Sequence, residues 1–274
     1  MEEEKQAIAY GGENIHKEAF DSMDTTVVRW LGNGGAMINS RGTCIMIDPL
    51  LKGFDMPLLV EPPILPEDVP GLDAVLITHC DNDHFSRVTC RELSRVCPMV
   101  HAPHYVAGLL REEKIASTGH DINESFLVGN MKVTLTPADH AWQNSRPKYA
   151  ARVFKLEDYC GFRIETEDGT IWMPGDSRLM QEQLNMPHPD VILLDFSDSK
   201  WHIGLEGVKK LTAAYTDAIL IPIHWGCVDA PAMAEFNGDP KVLKSLILNP
   251  ERICMLAPGE SFDLKQGGIG DGQE

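Results

Sequence analysis

A dense cluster of metal-binding residue types stands at residues 79–84, where the chain reads His-Cys-Asp-Asn-Asp-His. Imidazole nitrogens and carboxylate oxygens together suit zinc, manganese or iron. On a turn that leaves a strand, this spacing can aim several donors into one pocket. A surface turn rich in Asp and Asn is the competing interpretation, but such a turn would not account for the residues that end the other strands.

Four apolar, strand-like runs each lead into a residue that can bind a metal. Those residues are His79, His140, Asp176 and His224. Loops at strand ends are where a rigid sheet presents reactive groups. A single histidine at a strand end is more often structural, but four such endings together with the cluster favour one metal centre.

The elements that must position these residues alternate between strands and turns. Residues 26–47 contain apolar runs broken by Gly and Asn, which predicts antiparallel hairpins, and residues 160–173 predict another hairpin. Residues 73–78 form a continuous apolar run typical of a strand buried on both faces. Residues 86–96, 103–113 and 204–215 have helical patterns. No linker separates independent domains, so we expect one layered domain with sheets inside and helices outside.

The net charge of the chain disfavours one class of binding partner. With 24 Lys and Arg against 41 Asp and Glu, the net charge is −17, which disfavours nucleic acid because phosphate backbones are bound mainly by Lys and Arg. We therefore expect a small-molecule substrate. The oligomeric state is left open, a homo-oligomer included.

The location of the protein is predicted from what the chain lacks. The sequence has no run of 18 apolar residues, so no membrane span is predicted. The acidic N-terminal residues include no apolar signal region. Seven scattered cysteines without a C-x-x-C pair argue against a zinc ribbon. We expect a cytoplasmic protein with reduced thiols.

Residues 78–84 resemble the metallo-β-lactamase superfamily signature H-x-H-x-D-H, and His140, Asp176 and His224 follow in the order of that family. Residues 30–35 (Trp-Leu-Gly-Asn-Gly-Gly) and 257–260 (Ala-Pro-Gly-Glu) are similar to a branch that includes L-ascorbate-6-phosphate lactonase. The resemblance implies an α/β fold, a four-layer αββα sandwich with the metal site at one edge. We assign residues 25–274 to this domain and residues 1–24 to an N-terminal extension.

The resemblance also implies two sets of ligands for one or two divalent ions. The first set is His79, Asp81 and His140; the second is Asp83, His84 and His224, with Asp176 as the bridge. Asp81 departs from the pattern, since the family has a second histidine there. A carboxylate is harder and anionic, which shifts selectivity from zinc towards manganese or iron. Zinc and manganese are the expected ions, with iron as the alternative.

The activity implied is that of a metal-dependent hydrolase, in which a metal-bound hydroxide attacks a small substrate, anionic or neutral, such as a lactone or phosphoester. Asp83 is the catalytic candidate, because its family counterpart orients the nucleophile. His202, just before a helical segment, is the second catalytic candidate, as the proton donor to the leaving group. A helix-flanking surface histidine is an equally weighted interpretation of His202.

Four residues near the predicted ligands are candidates for substrate binding. They are Arg146, Arg178, Lys200 and Trp225. The cations, together with Lys148, can clamp an anion, although for any one of them an ordinary solvated charge is the more frequent case. Trp225 is expected either to wall the pocket or to pack in the core.

Two other classes of function stay open. Some superfamily members carry a carboxylate at the position of Asp81 and hold a di-iron centre with redox activity, but they usually need a flavodoxin-like domain for which 274 residues leave no room. A binding or sensing protein without turnover is the second class. Metal analysis separates these interpretations, because a di-iron protein has a visible absorption band.

Overall fold

The computed structural model describes residues 6–269. The strands are β1 (Thr26–Gly32), β2 (Gly35–Ser40), β3 (Thr43–Ile47), β4 (Ala74–Leu76), β5 (Val100–Pro103), β6 (Ser117–His120), β7 (Ser125–Val128), β8 (Met131–Pro137), β9 (Cys160–Glu165), β10 (Thr170–Met173), β11 (Val191–Asp195), β12 (Ile219–Ile223), β13 (Ser261–Asp263) and β14 (Gly268–Ile269). The helices are α1 (Arg87–Leu93), α2 (His104–Glu112), α3 (Gly204–Ala214) and α4 (Pro240–Leu246).

These strands form two sheets. The first sheet has the order β14-β13-β1-β2-β3-β4-β5-β6, and the second has the order β12-β11-β10-β9-β8-β7. The predicted hairpins are confirmed, since β1, β2 and β3 pair antiparallel and so do β9 and β10. Parallel pairing joins β3 to β4 and β10 to β11 to β12.

The layers follow from side chains that alternate between the two faces of each strand. On β2, Ile38 lies in the core shared by both sheets, whereas its neighbour Met37 lies in a second core with the buried residues of α1 and α2. Beside the second sheet, Val208 and Leu211 of α3 are buried in the same hydrophobic cluster as the residues of that sheet. Helices therefore flank the paired sheets, and the predicted αββα sandwich is confirmed.

The strand before the histidine cluster is shorter than the predicted run 73–78, because β4 covers only Ala74–Leu76. Ile77 still donates its N–H to the carbonyl of His101 at 2.9 Å. The N–H of Thr78, however, donates to the Asp48 carboxylate at 2.8 Å instead of to a neighbouring strand. The chain therefore leaves the sheet at Thr78, directly before His79.

Residues 6–24 run along the domain rather than forming a sheet strand. Ala9 donates its N–H to the carbonyl of Gly226 at 2.9 Å, and Ile15 donates to Pro63 at 2.8 Å. The division at residue 24 stays a prediction, and residues 1–5 and 270–274 lie outside the described part. Among residues 6–269, no helix combines the length and apolar character needed to cross a membrane.

Gly161 on β9 gives a test of how tightly the chain is packed beneath the site. A Cβ at this position would lie 2.5 Å from the carbonyl oxygens of both Met173 and Pro174, and backbone atoms cannot rotate away. We expect Gly161→Ala to lower the free energy of unfolding by about 1–3 kcal/mol, the usual cost of overpacking, as measured by urea denaturation. Gly71→Ala is the control, since nothing lies within 4 Å of its added Cβ; equal stability of the two variants would contradict the expectation.

Candidate metal centre

The predicted first ligand set comes together at the ends of two different strands in two different sheets. The Nε2 atoms of His79, after β4, and His140, after β8, each lie 3.4 Å from Oδ2 of Asp81. Ligands that bind one ion at 2.0–2.1 Å in a tetrahedron stand about 3.4 Å apart. Both distances to Asp81 therefore match the spacing of ligands to one ion, and the donor atoms of His79 and His140 also lie within 4.8 Å of each other and of Asp176.

The predicted second set lies beside the first. Nε2 of His224, after β12, lies 3.2 Å from Oδ2 of Asp83 and 3.2 Å from Nε2 of His84. Asp176, after β10, faces both sets: its Oδ2 is 3.2 Å from Nε2 of His84 and 3.8 Å from Nε2 of His140. The structure thus brings all seven sequence-predicted donors into one buried cluster, with Asp176 between the two halves.

The four histidines are held so that the same ring atom faces the centre. Each Nδ1 has a partner elsewhere: the Thr78 hydroxyl for His79, Asp48 for His84, the Trp201 carbonyl for His140 and the Glu235 carbonyl for His224. Metal-binding histidines almost always use one ring nitrogen in this way. Each Nε2 therefore faces the other donors of the cluster, in the orientation that an ion would require.

Within the cluster, one buried nitrogen has no hydrogen-bond partner in the described part of the chain. Nε2 of His79 is inaccessible to solvent and has no hydrogen-bond partner among residues 6–269. Buried polar atoms nearly always have a hydrogen-bond partner. A metal ion bound to Nε2 of His79 would supply the partner that this nitrogen lacks. The donor set and its spacing fit one or two divalent ions.

Charges within the cluster shift its acidity strongly. Burial alone would raise the pKa of Asp176, but His224 and His84 bring it well below its usual value. Burial would lower the pKa of His224, but Asp176 and the hydrogen bond with Asp83 raise it to about 9. The pKa of His84 is likewise raised well above its usual value by Asp176 and Asp83, against the effect of burial. Without an ion, protons on these imidazoles balance the carboxylates.

His202 is a buried residue, so its interpretation as a surface histidine is wrong. Only 4% of it is exposed, and its Nδ1 donates to Oδ2 of Asp195 at 2.7 Å. Asp195 is itself fixed by the N–H and hydroxyl of Ser197, at 2.9 and 2.6 Å. Nε2 of His202 lies 3.7 Å from Oδ2 of Asp176. An oriented imidazole therefore stands next to the cluster.

A cavity of about 630 Å³ opens onto the cluster and is lined by Asp81, Asp83, His140, Asp176 and His202. Of the predicted anion-binding residues, Arg146 lines it, and so does Lys148.

The other three predicted substrate residues lie elsewhere. Arg178 is paired with Asp139 at 2.6 Å, and its guanidinium lies 4.8 Å from the centre of the Trp201 ring. Nζ of Lys200 lies 5.2 Å from the centre of the same ring. Trp225 is 2% exposed and stacks on Trp30 at 5.8 Å. Within the described chain none of these three side chains lines the cavity, and Trp225 packs in the core.

Several residues with a part in the site were missed by the sequence interpretation. Asp48, fully buried, accepts hydrogen bonds from both Thr78 and His84. Asp195 fixes His202. Their position in the sequence could have identified them. Asp48 directly follows β3 and Asp195 ends β11, and strand ends of the same kind indicated the ligands.

Comparison with known proteins places this geometry in a family. Residues 43–225 match the family described as the beta-lactamase superfamily domain. A UPF0173 metal-dependent hydrolase of Aeropyrum pernix is 26% identical over 260 residues, which cover 85% of this chain and 96% of the relative.

Solved structures agree in fold. The metallo hydrolase Igni18 of Ignicoccus hospitalis superposes with a TM-score of 0.68 at 20% identity, covering 87% of this chain and 98% of that one. CmlA, a diiron beta-hydroxylase of Streptomyces venezuelae, superposes with a TM-score of 0.67 at 14% identity, covering 88% of this chain and 54% of that one. At these identities the likeness is one of fold alone. The family match spans more than half of the 274 residues, so the superfamily predicted from the residues is confirmed: the chain belongs to the metallo-β-lactamase superfamily.

Proposed function

We propose that the protein is a metal-dependent hydrolase of small anionic substrates, with lactones as the first class to test and phosphoesters as the second. One observation carries the proposal: histidine and aspartate donors that follow four strands, β4, β8, β10 and β12, converge beside one cavity, and Asp81, Asp83, His140 and Asp176 line it. The name of the Aeropyrum pernix relative, a metal-dependent hydrolase, supports the reaction class. The similarity of residues 30–35 and 257–260 to the lactonase branch supports the substrate class.

A divalent ion, when bound, polarises the scissile group and makes water acidic enough to react near neutral pH. The candidate ligands are His79, Asp81, His140, Asp83, His84, His224 and Asp176, with zinc or manganese as the expected ion.

Asp83 lines the cavity and keeps its orientation through the backbone, because Asn33 donates to the Asp83 carbonyl at 3.0 Å. Its carboxylate can therefore accept a proton from water and aim that water at the substrate. His202 also lines the cavity, and Asp195 fixes its Nδ1–H so that Nε2 faces the reaction. We assign His202 the protonation of the leaving group.

The residues that line the cavity favour a substrate with an anionic part and an apolar part. Arg146 and Lys148 have no carboxylate within 4.0 Å among the described residues, so their charge is available to an anion. The apolar part of the lining includes Phe54, Met56 and Phe236, and the Phe236 ring stacks on His224 at 5.5 Å. This combination favours an acyl or lactone group that carries a separate negative charge.

The compartment proposed is the cytoplasm. All seven cysteines lie within residues 44–254, and each is a free thiol in the structure. Free thiols are typical of reducing compartments.

A di-iron redox protein is the second candidate function, and Asp81 is the observation that favours it. A carboxylate beside two histidines is a set that also suits iron. Elemental analysis of the purified protein, joined to a hydrolysis screen over lactones, phosphodiesters and thioesters, decides between the two. Colourless zinc or manganese protein with lactone hydrolysis supports the hydrolase. Iron with a visible absorption band and no hydrolysis overturns it, and failure to bind any metal favours a non-catalytic role.

Replacing Asp83 tests the proposed handling of water. We expect Asp83→Ala to lower kcat/KM at least about a hundredfold, the scale of general-base loss, as measured on the lactone found in the screen. Asp55→Ala is the matched control, because Asp55 also lines the cavity but bonds only to Asn82 at 2.7 Å among the described residues. A wild-type rate in Asp83→Ala would refute the assignment.

Metal binding is expected to release protons. With its pKa raised to about 9, His224 is protonated at pH 7 in the metal-free protein, and an ion must displace that proton. Apparent affinity should therefore rise about tenfold per pH unit for each proton displaced, and level off once the pH exceeds about 9. Calorimetry at pH 7 in buffers of different ionisation enthalpy counts the protons, and an affinity that does not change between pH 6 and 8 would contradict this expectation.

Removing the free cations tests the anionic substrate class. We expect Arg146→Ala and Lys148→Ala each to raise KM about tenfold for an anionic lactone, the loss of one charge-assisted contact, while a neutral lactone is unaffected. Steady-state kinetics with the paired substrates gives the readout. Lys200→Ala serves as the control because Lys200 is packed on Trp201 outside the cavity lining. Equal effects on charged and neutral substrates would count against the anion.

A further inference from the structure

We propose that Trp142, Gln143 and Tyr159, here named the Asp81 support, fix Asp81 as a ligand that offers one oxygen and thereby set which ion the first half of the centre prefers. The inference rests on the proposed function, because it takes His79, Asp81 and His140 as metal ligands.

Both oxygens of Asp81 already accept a hydrogen bond from the support. The indole N–H of Trp142 donates to Oδ2 at 2.6 Å, and the side-chain amide of Gln143 donates to Oδ1 at 2.5 Å. Each carboxylate oxygen has two lone-pair positions, so Oδ2 keeps one for an ion. The carboxylate cannot rotate without breaking one of these two bonds.

Tyr159 holds the far end of the Gln143 amide, the end that does not face Asp81. The Tyr159 hydroxyl lies 2.5 Å from Oε1 of Gln143, and the two residues are 1% and 2% exposed. Because a carboxylate only accepts, Gln143 must point its NH₂ at Asp81, and its carbonyl must then accept from the Tyr159 hydroxyl. Burial raises the pKa of Tyr159, which keeps this hydroxyl protonated.

The Asp81 support is continuous with the rest of the first half. Trp142 and Gln143 begin the 3₁₀ helix Trp142–Ser145, which directly follows His140 and Ala141. The Tyr159 ring lies 5.8 Å from the His79 ring and 6.0 Å from the His140 ring. The Asp81 support therefore lies close to both candidate histidine ligands of the first set, His79 and His140.

The consequence for the ion follows from coordination geometry. A carboxylate that is free to turn can bind through two oxygens, which suits ions with six or more ligands. A carboxylate held at both oxygens presents Oδ2 alone, 3.4 Å from each histidine nitrogen, and so occupies the place that a single imidazole nitrogen would take. This favours the four-coordinate geometry typical of zinc. The support thus opposes the shift towards manganese that an unsupported Asp81 would cause.

Zinc affinity in conservative variants tests the Asp81 support. We expect Trp142→Phe and Tyr159→Phe each to weaken Zn²⁺ binding by 10- to 100-fold, the usual effect of losing a partner of a ligand, with a smaller change for Mn²⁺. Competition against a chromophoric chelator measures both ions, and the absorption of Co²⁺-loaded protein reports coordination number. The expected Co²⁺ result is weaker, less tetrahedral bands in both variants.

Matched controls separate this effect from general damage. Tyr105→Phe and Tyr149→Phe alter aromatic residues of the same cavity whose side chains do not bond to Asp81, and they should bind Zn²⁺ within about twofold of wild type. Circular dichroism confirms folding. Unchanged Zn²⁺ affinity and unchanged Co²⁺ bands in both support variants would overturn the inference.

A double-mutant cycle shows whether the support acts through Asp81. In an Asp81→His background, Trp142→Phe should weaken Zn²⁺ binding by less than about threefold, since the carboxylate is gone. The same large loss in both backgrounds overturns the inference while leaving the proposed function intact. Failure of the wild-type protein itself to bind Zn²⁺, Mn²⁺ or Co²⁺ overturns both.

Discussion

One carboxylate oxygen, Oδ2 of Asp176, lies within 3.8 Å of the Nε2 atoms of four histidines: His84, His140, His202 and His224. A buried negative charge is costly unless positive groups surround it. Here those groups come from four segments and two sheets, so the sandwich must close correctly before this charge is balanced. The strands before the histidines and the shared core both serve that closure.

The residues of the metal centre were largely predictable because their signal is local. His79, His140, Asp176 and His224 each stand just beyond an apolar run, and such runs identify buried strands without knowledge of their partners. The family order of the same residues added the αββα fold. The ligand roles themselves stay proposals, but the convergence of their side chains could be expected from strand ends alone.

The surroundings of the ligands were not predictable, because they depend on contacts between distant segments. Asp48 reaches His84 and Thr78 across a loop whose path the sequence does not define. Trp225 follows His224 directly, yet it stacks on Trp30 in the core, because the chain turns just after β12, at His224, whose φ is +63°. His202 precedes a helix in the sequence, and its burial depends on contacts with distant segments, such as the hydrogen bond to Asp195 on β11.

The segment after His140 combines two tasks within a few residues. The 3₁₀ helix Trp142–Ser145 supplies the donors to Asp81, while Arg146 and the turn Pro147–Tyr149 contribute to the cavity lining. A loop exchanged here to redirect substrate choice would therefore also exchange the groups that hold the ion. Under the roles proposed for these residues, engineering or natural divergence of this loop would change substrate specificity and metal preference together.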